Sequence, residues 1–241
     1  MTATTQEVRP SYCDSCAIRN RAICADLDSA ELAQLSTIGR RRKLTAGEQL
    51  FWEGDDTVLL ANVIEGVLKI STHTSEGKEQ ILGLGFPSDF LGRPFGQTAP
   101  FGAEALTDSF VCVFEQGDFD RFAREHSRLE HKLLERTLAE LDRTRRWMLL
   151  LGRMNAEQKV ASFLLELRDR LTPRTCNHIE VEVSEIFELP LTRQQMADIL
   201  GLTIETVSRQ LSRFKRDGLI DLLSRRQVTI RDRRTLELIA S

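Results

Sequence analysis

The sequence predicts an α+β chain: a small antiparallel β-roll, one long helix, and a compact helical module with a short hairpin at the C-terminal end. Three observations carry this. Between about residues 36 and 115, short β-rich runs alternate with glycines. Residues 118–153 contain no proline and a single glycine, Gly152, while apolar residues recur at helical spacing. From Arg193 to Phe214, an alanine, a glycine and a valine fall at the intervals of two helices joined by a tight turn.

Composition narrows the class. The 241 residues, 41 % apolar and 29 % charged, are those of a globular protein with room for one large domain or two ordinary ones. No apolar run approaches the roughly 18 residues of a membrane span. The opening "MTATTQEVRP" has neither the basic start nor the apolar centre of a signal peptide. The expectation is a cytoplasmic protein with no membrane partner. In a reducing compartment, grouped cysteines more often bind metal or act in redox chemistry than form structural disulfides, and five is an odd number. The net charge of −3 hides an asymmetry: residues 191–241 carry 10 Lys and Arg against 6 Asp and Glu, and residues 1–190 carry 23 against 30. A basic tail on an acidic body suits an anionic partner for the tail.

Residues 1–30 form a cysteine-rich N-terminal arm. Its stretch "SYCDSCAIRNRAIC" holds Cys13, Cys16 and Cys24 with almost nothing else to pack around. That spacing is open to a metal or cluster site, a disulfide framework or accident. The roll occupies residues 31–117, with strands expected in "GEQLFWEGDD", "VLLANVIEGVLKIST", "KEQILGLGF" and "DSFVCVFEQGD" and turns at Gly47, Gly54, Gly66 and Gly77.

One helix is expected over 118–153. Leu134, Leu138, Leu141 and Met148 form an apolar stripe at spacings of four, three and seven, with Arg145 at the intervening seam position. The helix either packs on its own roll or pairs with a second copy. The second reading is preferred, with Arg145 weakening or conditioning the pairing. A further helix, "NAEQKVASFLLELRDRL", opens with Asn155 as its N-cap and closes before Pro173. The following linker contains Cys176 and an alternating strand of Ile179, Val181 and Val183.

The C-terminal module spans 154–241. Ala197 lets a second helix cross closely, Gly201 makes the turn, and Val207 packs the second helix inward. One apolar position holds Gln210, with Leu211 beside it. On the second helix, Glu205, Ser208 and Arg209 share a face away from Val207, Leu211 and Phe214. Arg can bond guanine O6 and N7, Glu can accept from cytosine N4, and a hydroxyl can bond either partner, so the trio suits base pairs in the major groove of double-stranded DNA. The stretch "DGLIDLLSRRQVTIRDRRTL" reads as a turn and hairpin, with Val228 and Ile230 on one face. Arg225, Arg226 and Arg231 are either phosphate contacts or solubilising charge. The four histidines form no metal motif and no nucleophile signature occurs, so an enzyme is not expected.

Over nearly its full length the chain resembles the cAMP-receptor-protein superfamily of bacterial transcription regulators. The carriers are "GEQLFWEGDD", "VIEGVLKI", the long helix and "LGLTIETVSRQLSRF". Within the superfamily it is similar to the FNR (fumarate and nitrate reduction) branch of oxygen-responsive regulators, through the N-terminal cysteines and the Glu205, Ser208, Arg209 reading set. The resemblance implies a cyclic-nucleotide-binding-like jelly roll, a dimerisation helix and a winged helix-turn-helix. It also implies a homodimer on two-fold symmetric, TTGAT-like sites, acting mainly as an activator through RNA polymerase. Cyclic-nucleotide sensors carry an Arg followed by Ser or Thr; here Pro94 follows Arg93, and no cAMP is expected.

A [4Fe-4S] iron–sulfur cluster needs four thiolates. With the family pattern, Cys112 in "FVCVF" becomes the fourth ligand beside Cys13, Cys16 and Cys24, and Cys176 a bystander. Zinc held by the same four thiolates, or a thiol switch, stays open from spacing. On the cluster reading, the arm is tied to the roll, the dimer is favoured, and oxygen lowers DNA affinity.

Overall fold

A computed structural model describes residues 13, 15–56, 59–77, 79–171, 186–224 and 226–241. They fall into two compact units, one of residues up to Ile70 with Pro87–Leu138, the other of Ser71–Phe86 with Ala139–Ser241.

In the first unit, α1 (Ser29–Ile38) precedes β1 (Gly39–Leu44), β2 (Gln49–Phe51), β3 (Leu59–Glu65) and the start of β4 (Leu68–His73); the end of β4 and β5 (Glu79–Gly85) belong to the second unit, and β6 (Phe90–Leu91), β7 (Gly102–Ala105) and β8 (Ser109–Glu115) return to the first. One sheet runs β1-β8-β3-β6 and the other β2-β7-β4, with β4 continuing into its hairpin with β5. All four expected turn glycines have positive φ, from 76° to 87°. At Gly66 the requirement is double, because a Cβ there would also strike Ser109.

The middle of the antiparallel pair β8-β3 is covered on both faces, while β1 leaves Arg40, Arg41 and Lys43 exposed. Ala61 and Val63 of β3 and Val111 of β8 point into the roll with Leu44, Leu50, Phe51 and Leu68. The alternate residues Leu60 and Phe114 join a second core with Ile18, Ile23, Leu32 and Leu35. Cys112 lies against that second core.

The helix expected over 118–153 is two helices: α2 (Gln116–Glu125) and α3 (Ser127–Arg153). His126 separates them with φ −126° and ψ 86°, its ring stacked 3.8 Å from Phe122 and its Nδ1 donating to the Phe122 carbonyl at 2.7 Å. The bend lets Phe119, Phe122 and Ala123 of α2 and Leu129 and Leu133 of α3 enter one core. In the stripe of α3, Leu134, Leu138, Leu141 and Met148 are between 43 % and 69 % exposed. Arg145 in that stripe pairs with Asp142 on its own helix at 3.3 Å.

The second unit holds α4 (Ala156–Leu171), β9 (Ile186–Glu188), α5 (Arg193–Leu200), α6 (Ile204–Arg216), β10 (Ile220–Leu222), β11 (Gln227–Ile230) and α7 (Arg233–Ile239). Asn155 caps α4 as expected, its Oδ1 accepting from the Gln158 N–H while its own N–H donates to the Gln158 Oε1. Strand β11 is central in the order β10-β11-β9, and Thr229 is buried between Val228 and Ile230 rather than facing water. The sequence reading had no counterpart for α7, which is docked on α4 by the two-point pairing of Arg233 with Asp169 at 2.7 and 2.9 Å. Cys176, Ile179, Val181 and Val183 lie outside the described residues.

Phe119 is fully buried and meets both Phe90 and Phe114 at 5.3 Å between ring centres. Phe119→Ala should therefore cost about 3–5 kcal/mol, measured by denaturant unfolding.

Candidate metal centre and nucleic-acid interface

The described residues of the arm are folded: Cys16 N–H donates to the Cys13 carbonyl, Arg19 N–H to Cys16, Ala22 N–H to Ile18 and Leu27 N–H to Cys24. Ile18, Ala22, Ile23 and Leu27 are buried against the outer face of the sheet. The expectation of almost nothing to pack around is thus corrected: four apolar residues interleave the cysteines at turn spacing. Arg19 locks the wide gap between Cys16 and Cys24. Its guanidinium donates to the carbonyls of Cys24 at 2.6 Å, Ala25 at 2.9 Å and Leu27 at 2.7 Å. The sequence reading missed both this clamp and α1, although "DSAE" signals the α1 start; Asp28 and Glu31 form a capping box there.

Cys13, Cys16, Cys24 and Cys112 are all free thiols and together line one cavity of about 50 Å³, with Ile18, Leu35 and Phe114 among its other walls. A single water needs about 10–15 Å³ of such space, so the cavity exceeds one water or one small ion several-fold. Among the described residues, no three His, Cys, Asp or Glu side chains converge closely enough to hold one metal ion. The four thiols surround a space instead of meeting at a point. Gly39 forms part of the wall, where a Cβ would come within 2.8 Å of the Phe114 ring and 3.3 Å of the Cys112 sulfur.

Burial pushes the Cys24 thiol up to about 11, with the nearby Arg19 charge opposing and Cys16 and Cys13 adding to the rise. Burial likewise pushes Cys112 up to about 12, reinforced by Cys13, Cys24 and Cys16 and opposed by Arg41. Cys13 and Cys16 thus lie close enough to act on both Cys24 and Cys112. Four thiolates in so apolar a site need a compensating cation, and iron–sulfur ligation supplies one. The donor set therefore fits such a group.

In the second unit, α5 and α6 form the expected helix-turn-helix. Thr192 and Gln195 make a capping box at the start of α5, and Gly201 ends it with φ 60°. Ala197, Val207, Leu211 and Phe214 are buried, and Gln210 is only half-buried because Leu211 takes the core position. Thr203 caps α6 by accepting from the Thr206 N–H. Glu205, Ser208 and Arg209 are exposed together. The Glu205 carboxyl is held below its usual range by its own backbone N–H, then by the Thr203 hydroxyl and the Arg209 charge. In the wing, Arg231 is engaged by Asp221 at 2.6 Å and Arg226 is exposed; Arg225 lies outside the described residues.

The raised thiol pKa values make the metal-free protein alkali-sensitive. Folded Cys24 and Cys112 hold protons more tightly than a free thiol, whose pKa is about 8.5. Their contribution to stability is then fully present below about pH 8.5 and is lost as the pH climbs toward 12. Denaturation midpoints taken across that range should decline, and Cys112→Ala should flatten the decline.

Residues 41–126 match the cyclic nucleotide-binding domain family, and residues 158–239 match the Crp-like helix-turn-helix domain family. The chain is 43 % identical to the transcriptional activator protein FnrL of Cereibacter sphaeroides, over 91 % of this chain and 88 % of that protein. It is 40 % identical to the nitrogen fixation regulation protein FixK of Bradyrhizobium diazoefficiens, over 88 % of this chain and 87 % of that one. The solved structure of FixK2 from Bradyrhizobium japonicum superposes with a TM-score of 0.76 at 29 % identity, covering 85 % of this chain and 98 % of that chain. No helix among the described residues is long and apolar enough to cross a membrane. With a roll, a long helix and a winged helix-turn-helix in this order, and relatives of this identity along nearly its whole length, the chain belongs to the Crp/Fnr family of transcriptional regulators.

Proposed function

We propose that this regulator senses oxygen through a [4Fe-4S] cluster held by Cys13, Cys16, Cys24 and Cys112, and acts in the cytoplasm as a homodimeric activator. The observation that carries the reading is that all four thiols, from an arm and from a strand about ninety residues on, line one cavity. Thiols ringed about a space suit a polynuclear cluster better than a single zinc ion, whose four sulfur ligands must lie about 2.3 Å from one point.

When bound, such a cluster supplies iron–thiolate bonds that oxygen can destroy. The chain's part is mechanical. Cys13, Cys16 and Cys24 fasten the arm to Cys112 on β8, and the core beneath the arm contains Leu129 and Leu133 of α3. Lys132 of α3 also pairs with Asp26 at 3.1 Å. An arm held closed therefore fixes the first turns of α3, and with them the exposed stripe of Leu134, Leu138 and Leu141 that suits a second copy. Only a dimer presents two α6 helices to half-sites about one DNA turn (~34 Å) apart, which is the basis for a palindromic, TTGAT-like site. Glu205, Ser208 and Arg209 read its bases, while contact with RNA polymerase produces activation.

Protein purified without air should contain iron and acid-labile sulfide and show thiolate-to-iron charge-transfer absorbance. Replacing any one of the four cysteines with Ser should abolish these signals, whereas Cys176→Ser should leave them unchanged. Iron-free, colourless protein would refute the reading. For DNA, Arg209→Ala should cost about 1–3 kcal/mol and relax discrimination at one base pair; equal weakening on all sequences would make Arg209 a phosphate contact.

A further inference from the structure

The cysteine cavity has one polar wall group that nothing in the protein accounts for. Asn62 on β3 is 2 % exposed, lines the cavity, and its Oδ1 has no hydrogen-bond partner. Its position is set by register: Cys112 on the central strand β8 stands opposite Asn62 on one side and Arg41 of β1 on the other. Directly opposed residues in an antiparallel pair share a face with Cβ atoms about 4.5–5.5 Å apart. The amide is therefore an immediate neighbour of the fourth thiol, on the side of the sheet that the arm covers.

The other polar walls are spoken for. Arg19 spends its guanidinium on three arm carbonyls, and the Ser36 hydroxyl donates to the Ala33 carbonyl at 2.6 Å. The remaining non-cysteine walls, apart from Arg41, are apolar side chains or Gly39. A buried amide without a partner is a liability for folding alone, and a strand position facing an apolar core would ordinarily hold Val or Ile.

We infer that Asn62 is a tuning residue of the cysteine site: its side-chain N–H groups donate to the sulfur of Cys112 or to a sulfide of the bound cluster. This rests on the cluster reading above. A half-turn about χ2 exchanges Oδ1 and Nδ2, so the amide can present a donor to the cavity without moving its strand. Hydrogen bonds to cluster and thiolate sulfurs stabilise the more electron-rich state, raise the reduction potential and make oxidative loss harder. Asn62 would thereby help set how much oxygen the sensor tolerates.

The test compares wild type with Asn62→Leu, which keeps the branching of the side chain and removes the amide, and Asn62→Thr, which keeps a donor on a strand-favouring residue. All three are prepared without air and assayed for iron, sulfide, cluster midpoint potential, half-life after exposure to air-saturated buffer, and melting temperature of the metal-free form. The expected result is a full cluster in Asn62→Leu with a lower midpoint potential and a half-life shortened about fivefold, the factor one net hydrogen bond is worth. Asn62→Thr should fall between that variant and wild type. The metal-free Asn62→Leu protein should melt no lower than wild type. Unchanged potential and half-life in a cluster-bearing Asn62→Leu protein would overturn the role of Asn62 while leaving the cluster reading intact. A lowered melting temperature with unchanged potential would assign Asn62 to folding and also overturn it. Should Asn62→Leu fail to fold, wild-type values in Asn62→Asp and a folded Asn62→Thr of unchanged potential would do the same. A wild-type protein without iron would overturn both inferences at once.

Discussion

Strand β8 must be buried on both faces, and the rest of the first unit follows from that. Val111 feeds the interior of the roll, while Cys112 and Phe114 turn to the opposite face. An antiparallel sheet can leave one face to water, and then its strands alternate apolar with polar. Phe110, at the start of β8, is 41 % exposed, but the outward positions Cys112 and Phe114 of β8 and Leu60, Asn62 and Ile64 of β3 are covered, so water is excluded from them by something else. That cover is the arm, α1, α2 and the start of α3. The fourth cysteine is thus brought to the other three by ordinary burial of the strand that carries it.

The cover has apolar and hydrogen-bonded support of its own. Ile18 and Ile23 are each buried to about 2 % exposure or less, and complete burial of one such side chain contributes about 1.5–3 kcal/mol. Arg19 adds three hydrogen bonds from a charged donor, each to an arm carbonyl. Burial also keeps Cys24 and Cys112 as neutral thiols near neutral pH, since both hold their protons well above the usual range. Closed arm and protonated thiols are mutually compatible; closed arm and uncompensated thiolates are not. On the proposed cluster reading, loss of the bound group would loosen the arm to the extent that its thiolates persist, and reprotonation would let it close again, a shift between populations.

The parts legible in the sequence are those where a local rule had no competitor. The Ala197, Gly201, Val207 register gave the helix-turn-helix because each residue answers a backbone or packing requirement within one short segment. Turn glycines were readable for the same reason. The break at His126 was not, since helical periodicity runs straight through it: Phe119, Phe122, Leu129 and Leu133 keep nearly the spacing of one helix. The packing of the arm was hidden by its brevity, because four apolar residues among turns have no period to detect. Asn62 was invisible in principle, as its neighbour across the sheet is fifty residues away and only register reveals the pairing.

The route from the arm to α3 can be weighed by magnitude. Polar ties connect them: Lys132 to Asp26 at 3.1 Å, and Arg128 to Glu31 and Asp28 at 3.8 and 3.9 Å. These pairs are at the surface, where each is worth about 0–1 kcal/mol and salt screens it. Leu129 and Leu133 are buried in the same core as Ile18, Ile23 and Cys24, and at about 1.5–3 kcal/mol each they outweigh the ion pairs together. The coupling is therefore chiefly apolar. Leu134 follows Leu133 directly but lies about 100° around the helix, exposed while its neighbour is buried. On the proposed pairing of two copies, a helix that lost the packing of Leu133 would hold the aim of Leu134 and Leu138 less firmly, and the seam would depend on that aim. Arg145 would enter such a seam paired to Asp142 on its own helix, as a nearly neutral pair instead of an isolated charge, which would leave the orientation of the leucines as the deciding variable.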